Sequence, residues 1–167
     1  VVLGIDSSTQ STKVLAIDLE TGAVLAETRA PHSGADTQDP HDWWNALVAA
    51  VRGIGDASLE IRGISISGQQ HGCVLIDAAG EPVRDAPLWN NIDAAPDAER
   101  LNAEADFAAE TGSRLVASFT IAKLAQINRV DPAAITRADR VGLPHDWLNL
   151  KLTGELTTDR GDASGTG

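Results

Sequence analysis

Residues 3–18, LGIDSSTQSTKVLAID, set two short apolar runs on either side of a polar SSTQSTK. Each run is long enough for a β-strand, and strands this close in the chain pair as an antiparallel hairpin. Two residues such as Asn-Gly would suffice to close it. This turn is longer, crowded with hydroxyls and an amide, entered by Asp6 and left by Lys13. Phosphate groups bind where backbone N–H groups converge with hydroxyls and a cation. Ser7 to Thr12 can supply the first two and Lys13 the third. Asp6, at the strand end, can hold a magnesium ion, which keeps much of its water and takes few carboxylates. Neither a Walker pattern nor GxGxxG is present, and a strand rather than a helix follows. The other reading is a polar hairpin whose Ser and Thr bond their own backbone.

Outward from the hairpin (strands 1–5 and 14–17), residues 24–28 read as a third strand after the turn signal Glu20-Thr21-Gly22. Asp39-Pro40 starts a helix, with a capping side chain and then proline at the first helical position. Trp44, Leu47, Val48 and Val51 fall on one face of it. Residues 61–67 read as a buried strand ending at Gly68, and 73–77 as another, closed by Ala78-Ala79-Gly80-Glu81. The alanine-rich, charged stretch 94–111 is a helix or a helical pair. Residues 121–130 are a helix stopped by Asp131-Pro132, 140–143 a short strand, and 145–152 a helix capped by Thr153-Gly154. No element is expected from Thr157 on. This order predicts an α/β fold with a mixed sheet.

The chain has 167 residues, 43% hydrophobic and 22% charged, the make-up of a globular domain with a sizeable core. A formal charge of -11 argues against nucleic-acid binding, which needs a positive surface. One cysteine, Cys73, leaves no intrachain disulfide and fits a reducing cytoplasm. No apolar run approaches a membrane span.

Residues 63–77, GISISGQQHGCVLID, place Gln69, Gln70 and His71 between two glycines just after a strand. Ligands of α/β sheets sit outside strand ends. Two amides and an imidazole there could read the hydroxyls of a polyol, and the glycines would admit close approach. A solvated loop is the alternative. His32, His41 and His145 occupy ordinary loop or helix-start positions and read as structural, and no Cys/His spacing suggests zinc.

Together these stretches resemble the FGGY family of carbohydrate kinases, and within it the enzymes acting on xylulose. GIDSSTQSTK is similar to the family's first phosphate loop, DPHDWWNAL to its DPxxWW helix start, SGQQHGCVLID to its GQxHG sugar loop, and PLWNNIDAAPDAE to its LWND segment. TGSRLVASFTIAKL, VGLPHDWLNLKLTGE and TTDRGDASGT follow in order and spacing, so the resemblance spans nearly the whole chain. It implies a ribonuclease H-like (actin-like ATPase) fold, a mixed sheet with flanking helices, incomplete here. Residues 1–167 would be a partial N-terminal domain, with the C-terminal domain absent.

The implied reaction is ATP- and Mg2+-dependent phosphorylation of D-xylulose to D-xylulose 5-phosphate. Asp6 would serve the metal, and Thr9, Gln10, Ser11 and Lys13 the transferred phosphate. Gln70 and His71 would contact the sugar with Gln69 in support, and Trp89, Asn90, Ser118 and Phe119 would line or back its pocket. Asp159, Asp162 and Ser164 resemble the segment that returns to the cleft floor. The family's general base, an aspartate in a GGGDN-type segment, would lie beyond Gly167, so the 167-residue chain alone is expected to be inactive. The implied partners are sugar and ATP in the cytoplasm, with no nucleic acid or membrane, and a homodimer is compatible.

Three departures stand out: Ser8 where the family commonly has glycine, Asn91 where many members have aspartate, and Gln70 where close relatives can carry an apolar residue. The alternatives are another kinase of the family, acting on ribulose, a hexulose, gluconate or glycerol, and a non-catalytic sugar-binding remnant. Glycerol kinases typically carry an Arg-Glu pair at the GQQH position, which favours xylulose.

Overall fold

The computed structural model describes residues 1–55 and 59–166. In chain order its elements are β1 (Val2–Ser7), β2 (Ser11–Ile17), β3 (Val24–Pro31), β4 (Thr37–Gln38), α1 (Pro40–Gly53), β5 (Gly63–Gly68), β6 (Val74–Ile76) and β7 (Ala86–Pro87). There follow α2 (Ala95–Glu104), α3 (Phe107–Thr111), α4 (Thr120–Val130), α5 (Pro132–Arg137), β8 (Arg140–Gly142), α6 (Pro144–Thr153) and a 3-10 turn at Asp162–Gly165. Two compact units form, Val1–Ala35 with His41–Gln69, and Asp36–Pro40 with Gln70–Gly167.

The first unit is built on a four-stranded sheet in the order β3-β2-β1-β5. β1 pairs antiparallel with β2 and parallel with β5. Side chains alternate across the pleat, so Leu3, Ile5 and Ser7 share the buried face with Ala16, Val14 and Thr12 opposite them. Asp6 and Lys13, also directly opposite, share the other face. α1 runs past β3, where Thr28 Oγ1 donates to the Ala50 carbonyl at 2.6 Å and Gly53 leaves room for the Thr28 methyl.

The buried stripe of α1 is Trp43, Ala46, Leu47 and Ala50. Of the expected face only Leu47 is fully buried; Trp44, Val48 and Val51 are half-buried. The stripe is turned about one residue because alanines, which carry little periodic signal, fill its tightest positions. β5 also departs from expectation. It is an edge strand, and Ile64 is 49% exposed, because among the described residues β1 is its sole sheet neighbour.

In the second unit β6 pairs with β8 and β4 with β7, both antiparallel. Val74, Leu75 and Ile76 are fully buried. Cys73 and Leu75 pack with Ile127 of α4 and Ala134 of α5, while Ala94, Ala98, Leu115 and Ala122 form a neighbouring cluster under α2 and α4. The stretch 94–111 is a helical pair, as read. Pro132, read as a stop, also opens α5, and Asp131 caps it by accepting from Ala134 N. The tail is not without structure, since the 3-10 turn at Asp162–Gly165 closes it.

Candidate active site

The β1–β2 turn is closed from within. Ser8 N and Ser8 Oγ both donate to the Ser11 carbonyl, each at 3.1 Å. Ser8 takes no left-handed conformation, so glycine's freedom is not required there, and its hydroxyl adds a bond that glycine could not make. The hydroxyls divide by strand parity. Ser7 and Thr12 face inward, with Thr12 Oγ1 donating to Ser7 Oγ at 3.3 Å, and are lost to a ligand. His32 Nε2 lies 2.8 Å from Thr12 Oγ1, and His32 N donates to the Gln10 carbonyl. His32 is therefore a brace of this loop, which its position in the sequence did not reveal. Burial lowers its pKa, opposed by Asp42 and by the Ser8 backbone.

Asp6, Ser11 and Lys13 lie on the other face of the hairpin, with Thr9 and Gln10 in the turn. Asp6 is exposed and its carboxylate makes no hydrogen bond or ion pair among the described residues. It shares a shallow groove with Lys13, Ser65 and Ser67. A lone, open carboxylate at a strand end fits a hydrated magnesium ion, which needs one or two such ligands. Lys13 Nζ sits 3.5 Å from Glu27 Oε1, both half-exposed, so the pairing is weak and exchangeable. Ser11 is buried, and its Oγ accepts from Arg29 Nε at 2.6 Å, which leaves its own proton to donate. At the end of β5, Gln69 N donates to the Ser7 carbonyl at 3.0 Å, and the Gln69 side chain is buried.

In the second unit, His71 is the one non-glycine residue with positive φ (56°) among the described residues. That conformation costs of order 1 kcal/mol and is held by its surroundings. The Phe119 ring packs on the imidazole at 4.9 Å, tilted 46°. Gly165 lies against Nδ1, where a β-carbon would come within 2.3 Å. Gly72 is equally constrained, for a β-carbon there would meet Pro144 Cγ at 2.6 Å. His71 Nδ1 is buried without a hydrogen-bond partner. Burial lowers the His71 pKa, Lys123 lowers it further, and Asp162 opposes both. The imidazole is thus neutral at pH 7, with one donor and one acceptor nitrogen.

Gln70 is exposed beside His71, and Ser118 precedes Phe119. Trp89 and Asn90 occupy the exposed turn after β7. Asn91, by contrast, is buried, with Nδ2 donating to Asp36 Oδ2 and Asp93 Oδ2, each at 3.3 Å. An aspartate there would be the third carboxylate in the group, which accounts for the amide in this chain. His145 does more than start α6. Its Nε2 lies 2.9 Å from Asp159 Oδ2 and 3.2 Å from Asp146 Oδ1, and its Nδ1 3.6 Å from Asp162 Oδ2. One imidazole thus ties the 159–162 stretch, and with it Gly165, to α6. The signal was the run of acidic residues near the chain's end, but nothing local paired them with His145.

The profile of the "FGGY family of carbohydrate kinases, N-terminal domain" matches residues 1–167. The chain belongs to the FGGY family of carbohydrate kinases, and its fold is the actin-like ATPase fold of those sugar kinases. It is 52% identical to the xylulose kinase of Streptomyces rubiginosus over 99% of this chain and 36% of that protein. The xylulose kinase of Streptomyces coelicolor is 49% identical with the same coverage. The crystal structure of the xylulose kinase from Bifidobacterium adolescentis superposes with a TM-score of 0.90 at 35% identity, covering 99% of this chain and 39% of that one. The chain thus spans about a third of the length of the relatives it matches, as an N-terminal portion.

Proposed function

We propose that the protein carrying this chain transfers the terminal phosphoryl group of ATP to D-xylulose, and that this chain supplies the sugar contacts and part of the phosphate-binding machinery. The observation that carries the reading is His71, a neutral imidazole held in a strained backbone conformation between Phe119 and Gly165. With Nδ1 shut in against Gly165, Nε2 is the ring nitrogen left to meet a sugar hydroxyl, as donor or acceptor according to its tautomer. Gln70, exposed beside it, adds amide donors and an acceptor, with Ser118, Trp89 and Asn90 as further lining. The xylulose kinases among its relatives support xylulose as that sugar.

Phosphoryl transfer asks a protein chiefly for positioning and charge stabilisation. Asp6 would hold a magnesium ion, which neutralises charge on the phosphates when bound. Lys13 can leave Glu27 for a phosphate oxygen at little cost, because a half-exposed ion pair contributes about 0–1 kcal/mol. Ser11 Oγ, fixed by Arg29, presents its proton, and Thr9 and Gln10 stand at the turn. The general base would come from outside these residues. The test is a panel of D-xylulose, D-ribulose, D-fructose, gluconate and glycerol with ATP and the full-length protein. D-xylulose is expected to give the highest kcat/KM; a far higher value for another sugar would overturn the assignment.

A further inference from the structure

Lys123 lies where an ammonium is costly. Its side chain is 1% exposed, and it sits in the first turn of α4, where the helix dipole disfavours a cation. Among the described residues no carboxylate pairs with it. Burial pulls its pKa down to about 8, with Cys73 opposing, and burial also pushes the Cys73 thiol up to about 12, so that neighbour is neutral. What Lys123 does hold is backbone. Nζ donates to the Ala117 carbonyl at 3.0 Å and to the Ser118 carbonyl. Those are the two carbonyls before Phe119, whose ring packs on His71.

We propose that Lys123 is a positioning residue for sugar recognition, clamping the carbonyls of Ala117 and Ser118 so that Ser118 and Phe119 are presented at His71. The inference rests on the sugar-binding reading of His71. The charge has a second effect. His71 faces Asp162 of the 3-10 turn and Lys123 of α4, and Lys123 favours the neutral imidazole that can accept a hydrogen bond.

The test uses the full-length protein with Lys123→Met, which keeps the length of the side chain and removes its donors, and Lys123→Gln, which keeps two donors and removes the charge. The sugar KM of Lys123→Met is expected to rise about tenfold or more, the effect of losing charge-assisted hydrogen bonds, while the ATP KM stays within about twofold. In Lys123→Gln, near neutral pH, part of the sugar affinity returns. The acid limb of kcat/KM for the sugar moves to higher pH, because losing the cation raises the His71 pKa.

A purely structural lysine would lower yield and melting temperature and leave both KM values alone. A folded Lys123→Met enzyme with unchanged sugar KM, or with equal losses for sugar and ATP, overturns the proposal. If Lys123→Met does not fold, a Lys123→Gln enzyme with both its sugar KM and its acid limb unmoved overturns it. A wild-type protein saturated by a sugar other than xylulose corrects only the substrate, and the variants are then read with that sugar. A wild type that phosphorylates no sugar overturns both readings.

Discussion

Gly165 has no room for a side chain, because a β-carbon would lie 2.3 Å from His71 Nδ1 and 2.7 Å from Cε1. Gly165→Ala must displace the imidazole or the 3-10 turn. Overpacking of this kind costs about 1–3 kcal/mol, to be read from the urea midpoint, and the sugar KM of the full-length protein should rise with it. An alanine variant unchanged in both would mean that the turn yields freely. Asn91 makes the opposite point, being held by charge rather than by space. Asn91→Asp would add a carboxylate beside Asp36 and Asp93, held protonated to higher pH than in the unfolded chain. The variant should lose about 1–2 kcal/mol at neutral pH and regain it as acid protonates the new group, which urea titrations at pH 7 and pH 4 will separate. The opposed facing of Asp6–Lys13 and Ser7–Thr12 follows from strand alternation that runs further than the sequence signals. The apolar runs stop at 5 and resume at 14, which makes Ser7 and Thr12 look like loop hydroxyls. The environment of Asn91 was not readable in the sequence, since Asp36 lies 55 residues away.

Elements reproduced their sequence signals where one face is buried and one is open. β1 and β2 did so in their apolar parts but run on into the polar stretch, to Ser7 and from Ser11, so that the turn is short (residues 8–10). α1 did so with its buried stripe turned by about one residue. Pro132 misled because proline both ends one helix and begins the next, and residue order alone does not say which. Between helices, Asp97 of α2 is 2% exposed and accepts from Arg129 of α4, with Nη2 to Oδ2 at 2.8 Å. The hydrogen bonds from Arg129 lower the Asp97 pKa, with Arg100 adding a smaller pull. A depressed carboxylate contributes stability above its unfolded pKa and loses it as pH falls through the folded one. Arg129→Ala should therefore lower stability at pH 7, because it leaves the Asp97 carboxylate short of a donor. The difference from wild type should close below the usual carboxylate range. A gap of the same size at acid pH in thermal melts would assign the loss to packing instead.

At the scale of the whole molecule, the chain is about a third of the length of its xylulose kinase relatives, and its site residues fall in both compact units. The intact mass of the protein taken from its source cell is expected to lie well above 17.5 kDa. Purified alone, the 167-residue chain is expected to release no sugar-dependent ADP from ATP. Steady turnover by that chain would refute the placing of the base outside it. Among the described residues no helix is long and apolar enough to cross a membrane. The sequence by itself determined the polar hairpin, the mixed sheet and the two glutamine–histidine and hydroxyl-rich loops, because strand alternation, turn chemistry and helix caps act over a few neighbouring residues. Only the tertiary structure decided that His71 is wedged between Phe119 and Gly165, that Lys123 clamps the segment before Phe119, that His32 braces the first loop, and that His145 gathers the carboxylates of the chain's last turn. Those are contacts of volume and charge made once the chain has folded back on itself, and no local pattern encodes which side chains will meet.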